Sequence, residues 1–299
     1  MSILVLGTVA LDSVQTPFGR RRHMLGGSAA HFSMSARIFT DVNLVAIVGE
    51  DFPRKYIQFL NRKGINLSSL IRSQGKTFQW QGRYVGDLNT ARTLSTELGV
   101  LASFKPVIAD KQRDIDNIFL ANVDPDIQRH VLGRMRRRRL VGLDSMNYWI
   151  NHKRRSLVRL LKLVDIYVAN DQEARSLSGE TNLIQAAKRL RSRGPRIILI
   201  KKGEHGVMLY SDEFIFSLPA FPVDKVIDPT GAGDTFAGGF MGYLARARSV
   251  TRAALRKAAA YGTVAASFNV EAFGMERTSR LSIRQVDSRL ALFKKTVSF

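Results

Sequence analysis

The sequence predicts an α/β protein in which a mostly parallel sheet is flanked by helices and carries a small inserted β lid. Three observations lead there. Short apolar runs recur along the chain, amphipathic stretches with helical spacing separate most of them, and two stretches in the first third alternate with period two and no helix between. With 299 residues the chain is long enough for one large α/β domain or two smaller units. No Gly/Pro/Ser-rich linker and no internal repeat divides it, so the reading is one domain over residues 1–299.

Taken in order, residues 3–6, 44–48, 118–121, 140–143, 166–169 and 197–200 are apolar runs of strand length. Residues 29–39, 52–63, 127–136, 154–163 and 183–193 repeat apolar positions at helical spacing, which gives strand–helix–strand units. From residue 233 onward the pattern is almost wholly helical, with helices expected at 236–247, 251–268 and 283–293. Two segments break the alternation, around 14–24 and 67–104. The second contains Thr77-Phe78-Gln79-Trp80-Gln81-Gly82-Arg83-Tyr84, a β-favouring string. A small sheet assembled from two separated insertions suits a cover over a site better than an independent domain.

Lys and Arg number 46 against 25 Asp and Glu, a formal charge of +21, while 45% of residues are hydrophobic, so the composition is globular with an unusual sign. The excess is spread over both halves. Its local runs, Arg134 with 136–139, 153–155 and 188–196, fall where helical periodicity is readable, and they read as solvated helix faces; a nucleic-acid surface is the competing reading. A field of this sign draws small anionic substrates in either case. The absence of cysteine excludes disulfide scaffolds, thiolate zinc sites and cysteine nucleophiles. The start, MSILVLG, lacks the features of a secretory signal and no apolar run approaches the roughly 18 residues of a membrane span, so a cytoplasmic protein is expected.

The chemistry concentrates in Asp228-Pro229-Thr230-Gly231-Ala232-Gly233-Asp234-Thr235-Phe236. Three small residues let the backbone turn tightly with its N–H groups aimed one way, and the following helix directs the positive end of its dipole to the same place. That is an anion cradle. A carboxylate at such a point, Asp234, is electrostatically awkward unless it handles a proton; the plainer reading is a helix cap.

The string 228–240 closely resembles the C-terminal motif of the ribokinase-like, or PfkB, family of carbohydrate and nucleoside kinases, and Gly26-Gly27-Ser28-Ala29-Ala30 resembles its N-terminal di-glycine motif. The resemblance covers essentially the whole chain and implies a ribokinase-like fold. By similarity, Asp234 is the general base that takes the proton of a substrate hydroxyl as it attacks the γ-phosphate of ATP. The amides of Gly231, Ala232 and Gly233 then stabilise the transferring group. Thr230 falls on the nucleotide side, and Asp228 supports a monovalent cation, potassium in many relatives; its plainer role is a turn ahead of Pro229.

Asn170 and Glu173 resemble an Asn-x-x-Glu element that serves Mg²⁺, with Glu173 acting through water, although the same pair reads as a helix cap. Lys202, Gly203 and Gly206 resemble the Gly-x-x-Gly nucleotide loop, with Lys202 standing where relatives often have Thr; a plain hairpin turn competes. Asp12 matches the acidic residue that grips sugar hydroxyls, beside Gly26 and Gly27. His31 stands where ribokinase-type enzymes usually have Asn, so that contact does not transfer. Phe78, Trp80 and Tyr84 are candidates to stack on a base or to form lid core, and Lys76, Arg83 and Arg92 are candidate phosphate ligands. The segment 258–269 and Gly274 resemble the part flanking adenine and the cation.

The expected function is an ATP- and Mg²⁺-dependent kinase acting on a hydroxymethyl group of a small sugar or sugar-like metabolite. A nucleoside kinase is the alternative within that class, and a catalytically silent, nucleic-acid-associated protein is the alternative outside it. Lid sheets in this family often pair between subunits, which implies a homodimer.

Overall fold

The computed structural model describes residues 1–86 and 88–298. The chain begins with β1 (Ser2–Leu6) and leaves the main sheet for a hairpin, β2 (Ala10–Thr16) and β3 (Gly19–Gly26). It returns through α1 (Ser28–Ala36) to β4 (Asp41–Gly49), and α2 (Arg54–Arg62) leads to β5 (Ile65–Ser73). A second hairpin follows, β6 (Gln79–Tyr84) and β7 (Ala91–Glu97). The middle of the chain is β8 (Asn117–Leu120), α3 (Pro125–Arg134), β9 (Leu140–Asp144), α4 (Asn147–His152) and α5 (Arg154–Leu161). Then come β10 (Ile166–Asn170), α6 (Asp171–Ser178), α7 (Leu183–Arg191), β11 (Ile197–Lys201), β12 (Val207–Tyr210) and β13 (Ile215–Leu218). Three long helices, α8 (Ala232–Ala247), α9 (Arg252–Asn269) and α10 (Ile283–Val297), complete it.

Among the described residues these strands make two sheets. The larger has nine strands in the order β13-β12-β11-β10-β9-β8-β1-β4-β5, parallel from β5 to β11 and closed by the antiparallel β12 and β13. The smaller has four, β3-β2-β6-β7, with β2 and β6 parallel at its centre. All six strands expected for the main sheet are present. The segment 67–104 divides: its first part is β5, paired parallel with β4 in the main sheet, and only β6 and β7 enter the small sheet. The difference has a physical cause, since β5 is an edge strand with mixed burial and its sequence, INLSSLIRS, alternates like an exposed one. Beyond β7, Val100, Leu101 and Phe104 turn back into the core, so the insertion ends earlier than the pattern predicts.

The pleat sends alternate residues of each central strand to opposite faces, and both faces are buried. Ile3 and Val5 join Phe32 of α1, Phe240 of α8, Val264 of α9 and Phe293 of α10 on one side. Leu4 and Leu6 join Val131 of α3, Leu157 of α5, Leu177 of α6 and Leu190 of α7 on the other. Phe32 is fully buried and stacked on Phe119 of β8 at 4.4 Å between ring centres, so truncating it to alanine costs about 3–5 kcal/mol. Helix α8 lies unusually close to α1, because a Cβ on Gly238 would fall 2.3 Å from the Phe32 carbonyl oxygen.

The basic runs lie on the outer helices and their ends. Arg154 and Arg193 both donate to the Leu177 carbonyl in the last turn of α6, the favoured place for a cation on a helix. Arg136 pairs with Asp110 and Asp114, and Arg196 with Asp165.

Candidate active site

Parallel strands bring their C-terminal residues to one rim, where ligands bind in open α/β sheets. Here β9 ends in Asp144, β10 in Asn170 and β11 in Lys201. Lys201 reaches across the end of β10 to donate from Nζ to Asp144 Oδ2 at 3.0 Å. The other Asp144 oxygen accepts from the Ser145 amide at 2.6 Å. Burial works against the Lys201 charge, but Asp144, Glu173 and Asp234 outweigh it and hold the ammonium protonated.

The first turn of α8 faces this pair. Its N-cap, Gly231, has φ +73°, a left-handed conformation that costs glycine little. The Ala232 amide closes the turn onto the Pro229 carbonyl at 3.1 Å, whereas the amides of Gly233 and Asp234 belong to a first turn that has no intrahelical acceptors. A Cβ on Gly233 would stand 2.9 Å from Lys201 Nζ, so the lysine head lies directly against the cradle. Asp234 sits in this turn among charges. Burial first, and then Asp144, push its carboxyl up to about 7, with Lys201 pulling the other way.

The turn is tied down behind the cradle. Asp228 is fully buried; its Oδ1 accepts from the Thr230 amide at 2.9 Å and its Oδ2 from the Gly274 amide at 3.0 Å. Asn269, at the end of α9, donates to the Thr230 carbonyl at 2.8 Å and accepts from Thr235 Oγ1 at 3.0 Å. The same Asn269 oxygen lies 3.2 Å from Nδ1 of His31.

The small sheet approaches from the other side. Asp12 on β2 is buried and accepts from the Gly27 amide at 3.2 Å. Gly26 admits this carboxylate, since a Cβ there would meet Asp12 Oδ2 at 1.9 Å. Burial pushes the Asp12 carboxyl up to about 7; the Gly27 hydrogen bond opposes this, and the charges of Asp228 and Asp234 reinforce it. Tyr84, buried on β6, accepts from Thr230 Oγ1 at 3.3 Å. Asp12 and Tyr84 thus join the small sheet to the two glycine motifs.

Asn170 and Glu173 form a reciprocal capping box at the start of α6, each side chain accepting from the other's backbone amide, at 2.8 and 2.7 Å. Burial and the neighbouring Asp144 raise the Glu173 carboxyl above its usual range, against the pull of Lys201. Among the described residues no group of three or more His, Cys, Asp or Glu is arranged to enclose a metal. One carboxylate beside an anion cradle instead suits Mg²⁺, which keeps waters and binds with phosphates. Lys202 and Gly206 close the β11–β12 turn, the Lys202 amide donating to the Gly206 carbonyl at 2.7 Å. Asn89, from the β6–β7 connection, donates to Glu204 in that turn at 2.7 Å.

The structure thus brings the 228–234 segment, the di-glycine turn and Asp12 singled out from the sequence into one region, and adds to it Asp144 and Lys201, neither of which was singled out there. Lys202 was singled out, but Lys201 is the lysine that reaches the cradle. Phe78 packs against the core on the Leu4 and Leu6 face of the main sheet, Trp80 donates to Thr93 Oγ1 at 3.2 Å, and Arg83 donates to Gln15 at 3.1 Å. Lys76 and Arg92 are exposed.

Residues 7–280 match the model of the pfkB family carbohydrate kinases. A cytidine kinase of Thermococcus kodakarensis is 32% identical over 254 residues, 83% of this chain and 90% of that protein. A nucleoside kinase of Methanothermobacter thermautotrophicus is 26% identical, over 92% and 91% of the two chains. Among solved structures, the Methanocaldococcus jannaschii nucleoside kinase superposes with a TM-score of 0.79 at 22% identity over 97% of this chain and 98% of its own. A putative ribokinase II of E. coli in complex with ATP and Mg²⁺ gives 0.79 at 17% identity, over 97% and 99%. With its ribokinase-like fold and this match over most of its length, the chain belongs to the pfkB family of carbohydrate kinases and is a phosphotransferase that acts on a hydroxyl group.

Proposed function

We propose that the chain transfers the γ-phosphate of ATP to the hydroxymethyl group of a nucleoside, with Asp234 as the general base. The observation that carries this is the position of Asp234, in the first turn of α8 within the field of Lys201 and Asp144. A base works best when its pKa lies near the working pH, and about 7 meets that condition. The amides of the first turn and the Lys201 ammonium then oppose the charge that spreads over the transferring group. Gly231 and Ala232 shape the turn, and Thr230, held by Asp228, Asn269 and Tyr84, fixes its entry. Asp12 holds acceptor hydroxyls beside the Gly26-Gly27 turn.

Bound MgATP would supply the phosphoryl group and a divalent charge to neutralise it. Glu173 would orient a magnesium-bound water, with Asn170 fixing the carboxylate and Gly203 and Gly206 admitting the nucleotide near Lys202. If so, Glu173→Gln raises the Mg²⁺ requirement more than it weakens acceptor binding; unchanged Mg²⁺ dependence assigns Glu173 to capping alone. Both Asp228 oxygens hold backbone amides, which supports a loop clamp; stimulation by potassium over a bulky organic cation tests a cation beside it.

Similarity to the cytidine kinase favours a nucleoside acceptor over the free sugar of the second reading. ATP consumption against cytidine, other nucleosides, ribose and sugar phosphates decides: a nucleoside is expected to exceed ribose in kcat/KM, and the reverse order promotes the sugar. A homodimer through the small sheet is part of the proposal and is tested by sedimentation. The basic runs are assigned to solvated faces, so nucleic-acid binding is expected to be weak and lost at physiological salt.

A further inference from the structure

His31 sits in the first turns of α1, 2% exposed, and two features define how it is held. The first is a hydrogen bond. Asn269 is oriented by its donation to the Thr230 carbonyl and its acceptance from Thr235, so the oxygen that faces His31 only accepts. His31 Nδ1 therefore carries the proton, and the bond fixes the ring. The second is a plane. A Cβ on Gly231 would fall 2.3 Å from Nδ1 and 2.4 Å from both Cε1 and Cγ. Similar distances to three adjacent ring atoms mean that the glycine lies over the face of the imidazole and not at its edge.

Gly231 is the left-handed residue that opens the cradle. Its Cα meets a flat ring that the Asn269 bond keeps from rotating. Burial pushes the imidazole down to about 4, so it is neutral near pH 7 and contributes shape there, not charge. Asparagine at this position could reproduce the bond but only part of the face, because its amide has no counterpart of Cε1 or of the ring atoms beyond it.

We propose that His31 is a positioning residue whose ring plane holds the Gly231 peptide, and with it the first-turn amides of α8, in the orientation that phosphoryl transfer needs. This rests on the reading of the α8 start as the phosphoryl cradle.

Two substitutions separate the properties of the ring. His31→Asn keeps a donor for Asn269 and trades the ring face for a smaller amide without Cε1 and the atoms beyond it, while His31→Phe keeps a full ring face and loses the donor. With ATP and acceptor both varied, His31→Asn is expected to lower kcat about tenfold while each KM moves less than about threefold, and His31→Phe to recover at least about threefold of that loss. Wild-type kcat with a raised acceptor KM in His31→Asn overturns the proposal, because the ring would then contact the acceptor. Equal losses in both variants also overturn it. A second measurement does not depend on turnover: amide hydrogen exchange over 230–235 is expected to quicken in His31→Asn relative to His31→Phe, and identical exchange counts against the plane. If His31→Asn does not fold, His31→Leu, which has neither plane nor donor, takes its place with the same expected loss. Asp234→Asn is the control. If it keeps full turnover, the cradle reading itself fails; if it loses turnover while His31→Asn does not, only the role of His31 fails.

Discussion

The cradle at the start of α8 and the small sheet that carries Asp12 approach one site from opposite sides and are built from different materials. The cradle is made of backbone, and its position is fixed several times over. Asp228 clamps two amides, Asn269 joins three segments, and Lys201 is anchored to Asp144. The small sheet and its β6–β7 connection meet this region through side chains, among them Asp12 with Gly27, Tyr84 with Thr230 and Asn89 with Glu204. On β7 every residue after Ala91 is exposed. On the proposed reading, the transfer of charge needs fixed dipoles, whereas a small sheet that admits an acceptor needs to open and vary. Substitutions on the cradle side should therefore act on kcat, and those on the small sheet on the acceptor KM.

The sharpest break of that division comes from Asp234→Asn, expected to lower kcat by about 10²- to 10⁴-fold in a steady-state assay. The same change should raise thermal stability at pH 8. A carboxyl whose folded pKa is raised, from 3.8 to about 7, binds its proton more tightly folded than unfolded. It therefore favours the fold fully only below the unfolded pKa, and stability is lost as pH rises from about 4 through about 7. Melting scans should show Asp234→Asn gaining on the wild type at pH 8 and not at pH 4. A loss at pH 8 would mean that the charged carboxylate holds the turn together.

Next in size is Lys201→Met, expected to cost about 10- to 100-fold in kcat and to move the acid limb of the kcat/KM profile to higher pH. The direction follows from sign: Lys201 lowers the pKa of Asp234, and without it the base stays protonated further into the alkaline range. Asp144→Asn should move the limb the other way, because Asp144 raises that pKa. Limbs that move together in the two variants would break the assignment of Asp234 as the titrating base.

On the other side, Asp12→Ala should raise the acceptor KM about tenfold or more, which is ~1.4 kcal/mol, and leave the ATP KM nearly unchanged. An unchanged acceptor KM would mean that the acceptor is held elsewhere.

How much of this was legible follows the same division. The cradle is local: residues 228–234 are contiguous, so the string alone locates its amides and its acid. The central strands were legible because both of their faces are buried, and their runs are continuously apolar. Asp144 and Lys201 are 57 residues apart and meet only because β9, β10 and β11 run parallel and end at one rim. A signal existed, since each is a charged residue closing an apolar strand run, but recognising it requires the strand order. The small sheet was legible as a β insertion and not in extent. Its central pairing joins β2 to β6 across most of two strand–helix units, and β5 has the alternation of an exposed strand while belonging to the main sheet.

The smallest expected effect tests whether the two sides are independent at all. The Tyr84 hydroxyl accepts from Thr230 Oγ1, and Thr230 is also held by Asp228 and Asn269. Tyr84→Phe removes that contact and keeps the buried ring, and it leaves the bonds of Thr230 to Asp228 and Asn269 in place. One neutral hydrogen bond is worth about 0.5–1.5 kcal/mol, which limits the change to about 2- to 10-fold. If the small sheet only covers the acceptor, the change falls on the acceptor KM and kcat holds. If instead closure of the sheet sets the position of Thr230, and through it the cradle, kcat falls by the same factor at saturating acceptor. The first outcome keeps cradle and cover as separate parts, and the second makes Thr230 the point where acceptor binding is passed to the phosphoryl site.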